Sequence, residues 1–258
     1  MKSPAVSMRN VSFAYGRGLD PVVAIRGIDV QQGSVAAILG SNGTGKTTLL
    51  YLLLGLYRLD QGDLAFFGHP QSAYPRERFK RLVGMVSQGE SIPFDLSVEE
   101  YVVLGRAPHL NLLQLPGAQD RAAATEALET VGMSHMATAY VTRLSSGERQ
   151  LVNVARVLAQ APEILLLDEP CSHLDLVNSR RMLRLMHTIA EKGRTVLFTT
   201  HDPNAASAVA DQVLLVRRGE IVADGPPEQT LNSELLTRTY GDAVEVIDTA
   251  RGPVVLAT

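Results

Sequence analysis

The chain has one cysteine, Cys171, among 258 residues. That excludes an intramolecular disulfide and any zinc site built from several thiolates, and it suits a reducing compartment. It has no run of the roughly 18 apolar residues that a membrane-spanning helix needs. Its first residues, MKSPAVSMRNVSF, lack the apolar core of a secretory signal peptide. Any membrane work is therefore expected to go through a partner. Positive charge is not in excess. The formal net charge is −3, which leaves no global field to attract nucleic acid, and no nucleic-acid partner is expected. Lysine is scarce, four residues against twenty arginines. Internal repeats, low-complexity tracts and an obvious linker are also missing.

What is present is an apolar content of 45%, ample for a sizeable core, and a clear order of elements. AVSMRNVSFAY alternates apolar and polar residues, as a half-buried strand does, and VVAIRGIDVQQGS reads as a second strand. VAAILG (35–40) is a wholly apolar strand of the kind covered on both faces. A helix is expected from Thr47 to Leu59, a short hairpin at GDLAFFGHP, a surface helix over 75–82 and a second buried strand at LVGMVSQ. Residues 95–160 carry almost no strand signal. Ser97 and Glu100 form a capping-box pattern, QDRAAATEALETVG stops at Gly132, and GERQLVNVARVLAQ runs to Pro162. Strand and helix then alternate again through EILLLDEP, DLVNSRRMLRLMHTIAEKG, RTVLFTTHD and PNAASAVADQ. VLLVRRGEIVADG reads as a hairpin, and a small hairpin is expected around Arg-Gly-Pro in the last twenty residues. The pattern predicts an α/β fold with a mostly parallel sheet and the inserted helices as a lobe on its side.

One of the four lysines stands in GSNGTGKT, Gly40 to Thr47, between the buried strand and a helix. This is the phosphate-loop spacing G-x-x-x-x-G-K-[ST]. Glycines let backbone N–H groups converge on phosphate oxygens, and the helix points its positive end at the same place. Gly40, Ser41, Asn42, Gly43, Thr44, Gly45, Lys46, Thr47 and Thr48 are therefore the candidate nucleotide-binding residues. Lys46 is expected at the β- and γ-phosphates and Thr47 at Mg²⁺. The second motif is ILLLDEP, where two carboxylates end an apolar strand. Asp168 is expected to meet Mg²⁺, and Glu169 to orient or deprotonate an attacking water.

LSSGERQ, Leu144 to Gln150, completes a pattern that resembles the nucleotide-binding subunit of ABC transporters over nearly the whole chain. The family signature reads Leu-Ser-Gly-Gly-Gln. Ser145 and Gly147 match it, whereas Ser146 and Glu148 depart from it. The resemblance implies that Ser145 and Gly147 approach the γ-phosphate held by an opposing subunit. It also implies that Tyr15 stacks on adenine, that Gln88 senses Mg²⁺ and the attacking water, and that His201 hydrogen-bonds the γ-phosphate. SHLD, 172–175, resembles the family's D-loop with His173 in place of alanine, and Cys171 replaces a threonine. The implied assembly is a head-to-tail homodimer of cassettes holding two ATP molecules with Mg²⁺. It would sit on the cytoplasmic face of the inner membrane, on permease subunits docking near residues 88–106, with a separate substrate-binding protein in the complex. The resemblance implies a single ABC ATPase domain: a P-loop core of 1–88 and 156–258 that includes an N-terminal antiparallel β part, and an inserted α-helical subdomain at 89–155. VVLGRAPHL, 102–110, is similar to a segment of ATPases serving iron–siderophore, haem and cobalamin importers. Molybdate or tungstate importers, soluble ATPases of iron–sulfur assembly and small-molecule kinases are the alternatives.

Overall fold

The computed structural model describes residues 3–90, 95–111, 113–249 and 252–257. The chain divides into two units, Met1–Tyr74 with Met186–Thr258, and Pro75–Leu185.

In the first unit, β1 (Val6–Phe13) pairs antiparallel with β2 (Val23–Val30), both with the burial alternation that the sequence pattern predicts. Strand β3 (Val35–Leu39) is buried at every position. The helix after it, α1 (Lys46–Leu53), is shorter than the expected Thr47–Leu59. Gly55 ends it in a Schellman turn: Gly55 N–H donates to Leu52 O at 3.0 Å and Leu56 N–H to Tyr51 O at 3.0 Å. Strand β4 (Gln61–Phe66) joins the other edge of β1 and turns back into β5 (His69–Pro70).

The second unit opens with α2 (Arg76–Leu82) and β6 (Val83–Val86). It continues through α3 (Val98–Val103), α4 (Ala118–Thr130) and α5 (Ser146–Ala159) to the buried β7 (Ile164–Leu167), which pairs parallel with β6. Ser97 caps α3 in a reciprocal box with Glu100, as its spacing predicts. Helices α3, α4 and α5 pack together around Val98, Val102, Leu128, Leu151 and Val154, all at most 2% exposed. Helix α6 (Leu176–Glu191) begins in this unit and ends in the first.

The first unit resumes with β8 (Thr195–Thr200) and α7 (Pro203–Val209), then the antiparallel pair β9 (Gln212–Arg217) and β10 (Glu220–Gly225). Strand β3 lies between β8 and β9 and is parallel to both. Two short helices absent from the sequence reading follow, α8 (Pro227–Thr230) and α9 (Ser233–Tyr240). The expected terminal hairpin is β11 (Val244–Thr249) with β12 (Gly252–Ala257). Arg251 of its predicted turn lies outside the described residues, as do residues 91–94 of the expected permease-docking segment.

Candidate functional site

In the first unit the site grows from the C-terminal ends of β3 and β8. Leu39 is in register with Thr200, so Gly40 and His201 leave the sheet side by side, with Gly40 N–H donating to Thr200 O at 3.3 Å. This is the edge at which parallel α/β sheets bind ligands. The loop 40–45 then turns into α1 through Gly45 at φ +94°. A β-carbon there would stand 2.4 Å from Val22 O, so only glycine fits on both counts. No side chain caps α1. Lys46 is 6% exposed, and its Nζ donates to the carbonyl oxygens of Gly40 at 2.7 Å and Ser41 at 3.1 Å. The ammonium thus lies across the mouth of its own loop. Thr44 Oγ1 donates to Ser41 O at 2.9 Å, and Gly219 N–H donates to Thr44 O at 3.0 Å, which ties the loop to the β9–β10 turn.

Tyr15 belongs to the same unit. Its hydroxyl and Thr48 Oγ1 are 2.8 Å apart, and its ring meets Phe13 and Tyr57 edge-on. At 57% exposure the ring still offers a face for stacking. His201 is exposed, and its carbonyl accepts from the Tyr240 hydroxyl at 2.9 Å. The sequence reading missed α9, which supplies that tyrosine.

In the second unit β7 ends at Asp168, 3% exposed, and Glu169, 9% exposed. Asp168 N–H donates to Val86 O at 2.9 Å, so Gln88 leaves β6 alongside the two carboxylates. Glu169 sits at φ +49° and His173 at φ +62°. Non-glycine residues held there cost about 1–3 kcal/mol each and cluster at functional turns. Ser172 holds this turn: its N–H and Oγ both donate to Glu169 O, at 3.0 and 2.8 Å, while Gln88 Nε2 donates to Ser172 Oγ at 3.4 Å. A cavity of about 170 Å³ opens here, lined by Gln88, Ser146, Asn153, Glu169, Ser172 and His173 among others. Gln88 and Glu169, two sequence candidates far apart along the chain, thus share one cavity with Ser146 of α5, whereas the candidates Ser145 and Gly147 are not among its lining.

Ser145 is the N-cap of α5. Its Oγ donates to Glu148 Oε2 at 2.7 Å, Glu148 N–H donates to that Oγ at 3.3 Å, and Ser145 N–H donates to Glu148 Oε2 at 2.9 Å. Glu148, a departure from the family signature, is therefore half of a capping box. The Ser145 hydroxyl, followed by its N–H, holds the Glu148 carboxyl below the usual glutamate value. Gly147 lies so close to α6 that a β-carbon would meet the Asn178 amide at 2.7 Å.

VVLGRAPHL fastens onto the far end of α5. Gly105 admits the Arg156 carbonyl, which would lie 1.8 Å from a β-carbon. Arg106 Nη1 donates to Ala159 O at 2.8 Å, and His109 Nε2 lies 2.8 Å from Gln160 O. These contacts satisfy the last carbonyls of α5.

Residues 26–172 match the ABC transporter family. The chain is 34% identical to the hemin import ATP-binding protein of Plesiomonas shigelloides, covering 93% of this chain and 95% of that one. It is 36% identical to the molybdate import ATP-binding protein of Haemophilus influenzae, covering 92% and 88%. A solved structure described as an inward-facing metal-chelate type ABC transporter superposes with a TM-score of 0.83 at 34% identity, covering 98% of this chain and 95% of that one. Among the described residues no helix is long and apolar enough to cross a membrane. Matched to the family over 26–172 and similar to import ATP-binding proteins over more than nine-tenths of its length, the chain belongs to the ABC transporter family, as one of its ATP-hydrolysing subunits.

Proposed function

We propose that this protein powers uptake of a metal chelate of the iron–siderophore, haem or cobalamin type through a separate permease. It would work as a homodimer at the cytoplasmic face of the inner membrane, beside a substrate-binding protein. The observation that carries the substrate class is the near full-length similarity to a hemin import subunit and to a metal-chelate type transporter. Substrate contacts lie in other chains, because a cassette supplies energy and not recognition.

The residue roles follow from the chemistry of each group. Backbone N–H groups of residues 40–48 cradle the phosphates, Lys46 spans the β- and γ-phosphates, and Tyr15 stacks on the base. Thr47, Gln88 and Asp168 are hard oxygen donors that suit Mg²⁺. Among the described residues no cluster of three or more His, Cys, Asp or Glu side chains is placed for a metal. Each of Thr47, Gln88 and Asp168 would give a Mg²⁺ ion one oxygen ligand of the kind it takes. When bound, it neutralises charge on the phosphates. Glu169 orients and deprotonates the attacking water, His201 holds the γ-phosphate, and Lys46 stabilises charge spreading in the transition state. Ser145 and Gly147 serve the nucleotide of the opposing copy, so ATP favours the closed dimer because only that state completes its contacts. The groove for the permease is assigned to residues 88–106 of the helical subdomain, 89–155.

An oxyanion importer is the second reading, favoured by the similarity to the molybdate import subunit. The two separate in one experiment. The chain is co-purified with its polytopic permease in vesicles, and ATP-dependent uptake of haem, a ferric siderophore, cobalamin and molybdate is compared. Uptake of a chelate supports the proposal, and uptake of molybdate alone replaces it. A chain that captures no membrane protein points to a soluble ATPase.

A further inference from the structure

Gln88 lies two residues before Glu90, and Glu90 is clamped from α5. Arg156 Nη2 donates to both carboxylate oxygens of Glu90 at 2.8 Å. The guanidinium also lies 5.4 Å from the centre of the Tyr101 ring. Tyr101 is 4% exposed. Its hydroxyl donates to Asn153 Oδ1 at 3.0 Å and reaches Glu90 Oε1 at 3.5 Å. Burial pushes the Tyr101 phenol up, which keeps it a donor. Arg156 Nε is buried and has no hydrogen-bond partner among the described residues, so Glu90 is the anion that balances this guanidinium.

A pair partly withdrawn from water, doubly hydrogen-bonded and covered by an aromatic ring holds its geometry far better than an exposed one. Its location gives that rigidity a use. Glu90 and Asn153 line the cavity that Gln88 and Glu169 share. Helix α5, which carries Asn153 and Arg156, starts immediately after Ser145. One ion pair therefore anchors the segment bearing Gln88 to the helix bearing the signature.

We propose that Glu90 and Arg156 are a positioning pair: they fix the chain after Gln88 so that its amide is presented beside Glu169, and so set the rate of hydrolysis without touching nucleotide. This rests on the ATPase reading and adds two residues to the site it describes.

The test is a double-mutant cycle on the full chain, reading kcat and KM for ATP together with the melting temperature. Glu90→Gln is nearly isosteric and removes the charge. It is expected to lower kcat about 5- to 10-fold with KM within about twofold, the size typical of coupled neighbours. On a Gln88→Ala background the same change is expected to cost less than about twofold, because the pair acts through Gln88. Arg156→Lys, which keeps the charge but loses the planar guanidinium held over the Tyr101 ring, is expected to reproduce the kcat loss. Equal losses with and without Gln88, a raised KM at unchanged kcat, or losses that follow the melting temperature alone would overturn the positioning role and leave the ATPase reading standing. A wild-type chain without hydrolysis would overturn both.

Discussion

Helices α1 and α5 each begin at a motif that we assign to phosphate, yet their first turns are built in opposite ways. Helix α1 starts from Gly45 in the left-handed region, with no side-chain cap and with Lys46 folded over the loop carbonyls. Helix α5 starts from Ser145, whose hydroxyl is already engaged with Glu148. The first offers an anion its main-chain N–H groups and depends on glycine for its shape. The second starts from a hydroxyl whose one proton is already donated to the Glu148 carboxylate, so an anion would have to displace that hydrogen bond. The first start is therefore suited to main-chain binding of an anion, whereas the contact proposed at Ser145 requires its hydroxyl to exchange partners.

Substitutions at the two helix starts sharpen this contrast. Lys46→Ala is expected to lower ATP hydrolysis by about 10²–10³-fold, the usual loss for a charge that meets the transition state. Ser145→Ala removes one hydrogen-bonding group and a cap, and is expected to cost about tenfold in rate and about 1 kcal/mol in stability. Phosphate release and chemical denaturation measure both, and equal rate losses would erase the distinction.

Backbone geometry gives a second contrast. Gly45→Ala forces an unfavourable φ and a clash with the Val22 carbonyl, and is expected to destabilise by about 1–3 kcal/mol. Gly147→Ala meets only the end of the Asn178 side chain, which can turn, and is expected to cost about 1 kcal/mol. Thermal unfolding of the two variants tests this order.

The smallest effect is the pH dependence of the Glu148 cap. Its folded carboxyl lies below the usual value of 4.5, so the ionised form adds stability above that value. This stability is lost as pH falls through the lower folded value. The advantage of wild type over Glu148→Gln is therefore expected to be constant around neutral pH and to shrink below 4.5. A gap that widens on acidification would contradict the capping assignment.

Much of this was legible because it is local. The buried run of β3, the glycine spacing of the phosphate loop and the Asp-Glu end of β7 are each contiguous, and the fold places them at strand ends as their patterns predict. The Ser145–Glu148 box was equally local. It carries the same S-x-x-E signal as Ser97–Glu100 and was masked by its likeness to the family signature. The overlong α1 came from reading the apolar run past Gly55, whose left-handed turn stops the helix. Helices α8 and α9 are short, and their length leaves little periodicity to detect. The Glu90–Arg156 pair spans 66 positions, and neither residue stands in a motif. Only packing reveals such a contact. The contacts of segment 102–110 with the end of α5 are likewise non-local and leave no signal in the sequence pattern.

The central claim is that two copies of this chain share each ATP. The direct measurement is the mass of Glu169→Gln by sedimentation with saturating MgATP, alongside its bound nucleotide. The account predicts a dimer with two unhydrolysed ATP molecules that reverts to monomer when Ser145→Arg is added to the same chain. A variant that stays monomeric with ATP bound, or one that still turns ATP over at the wild-type rate, would contradict it.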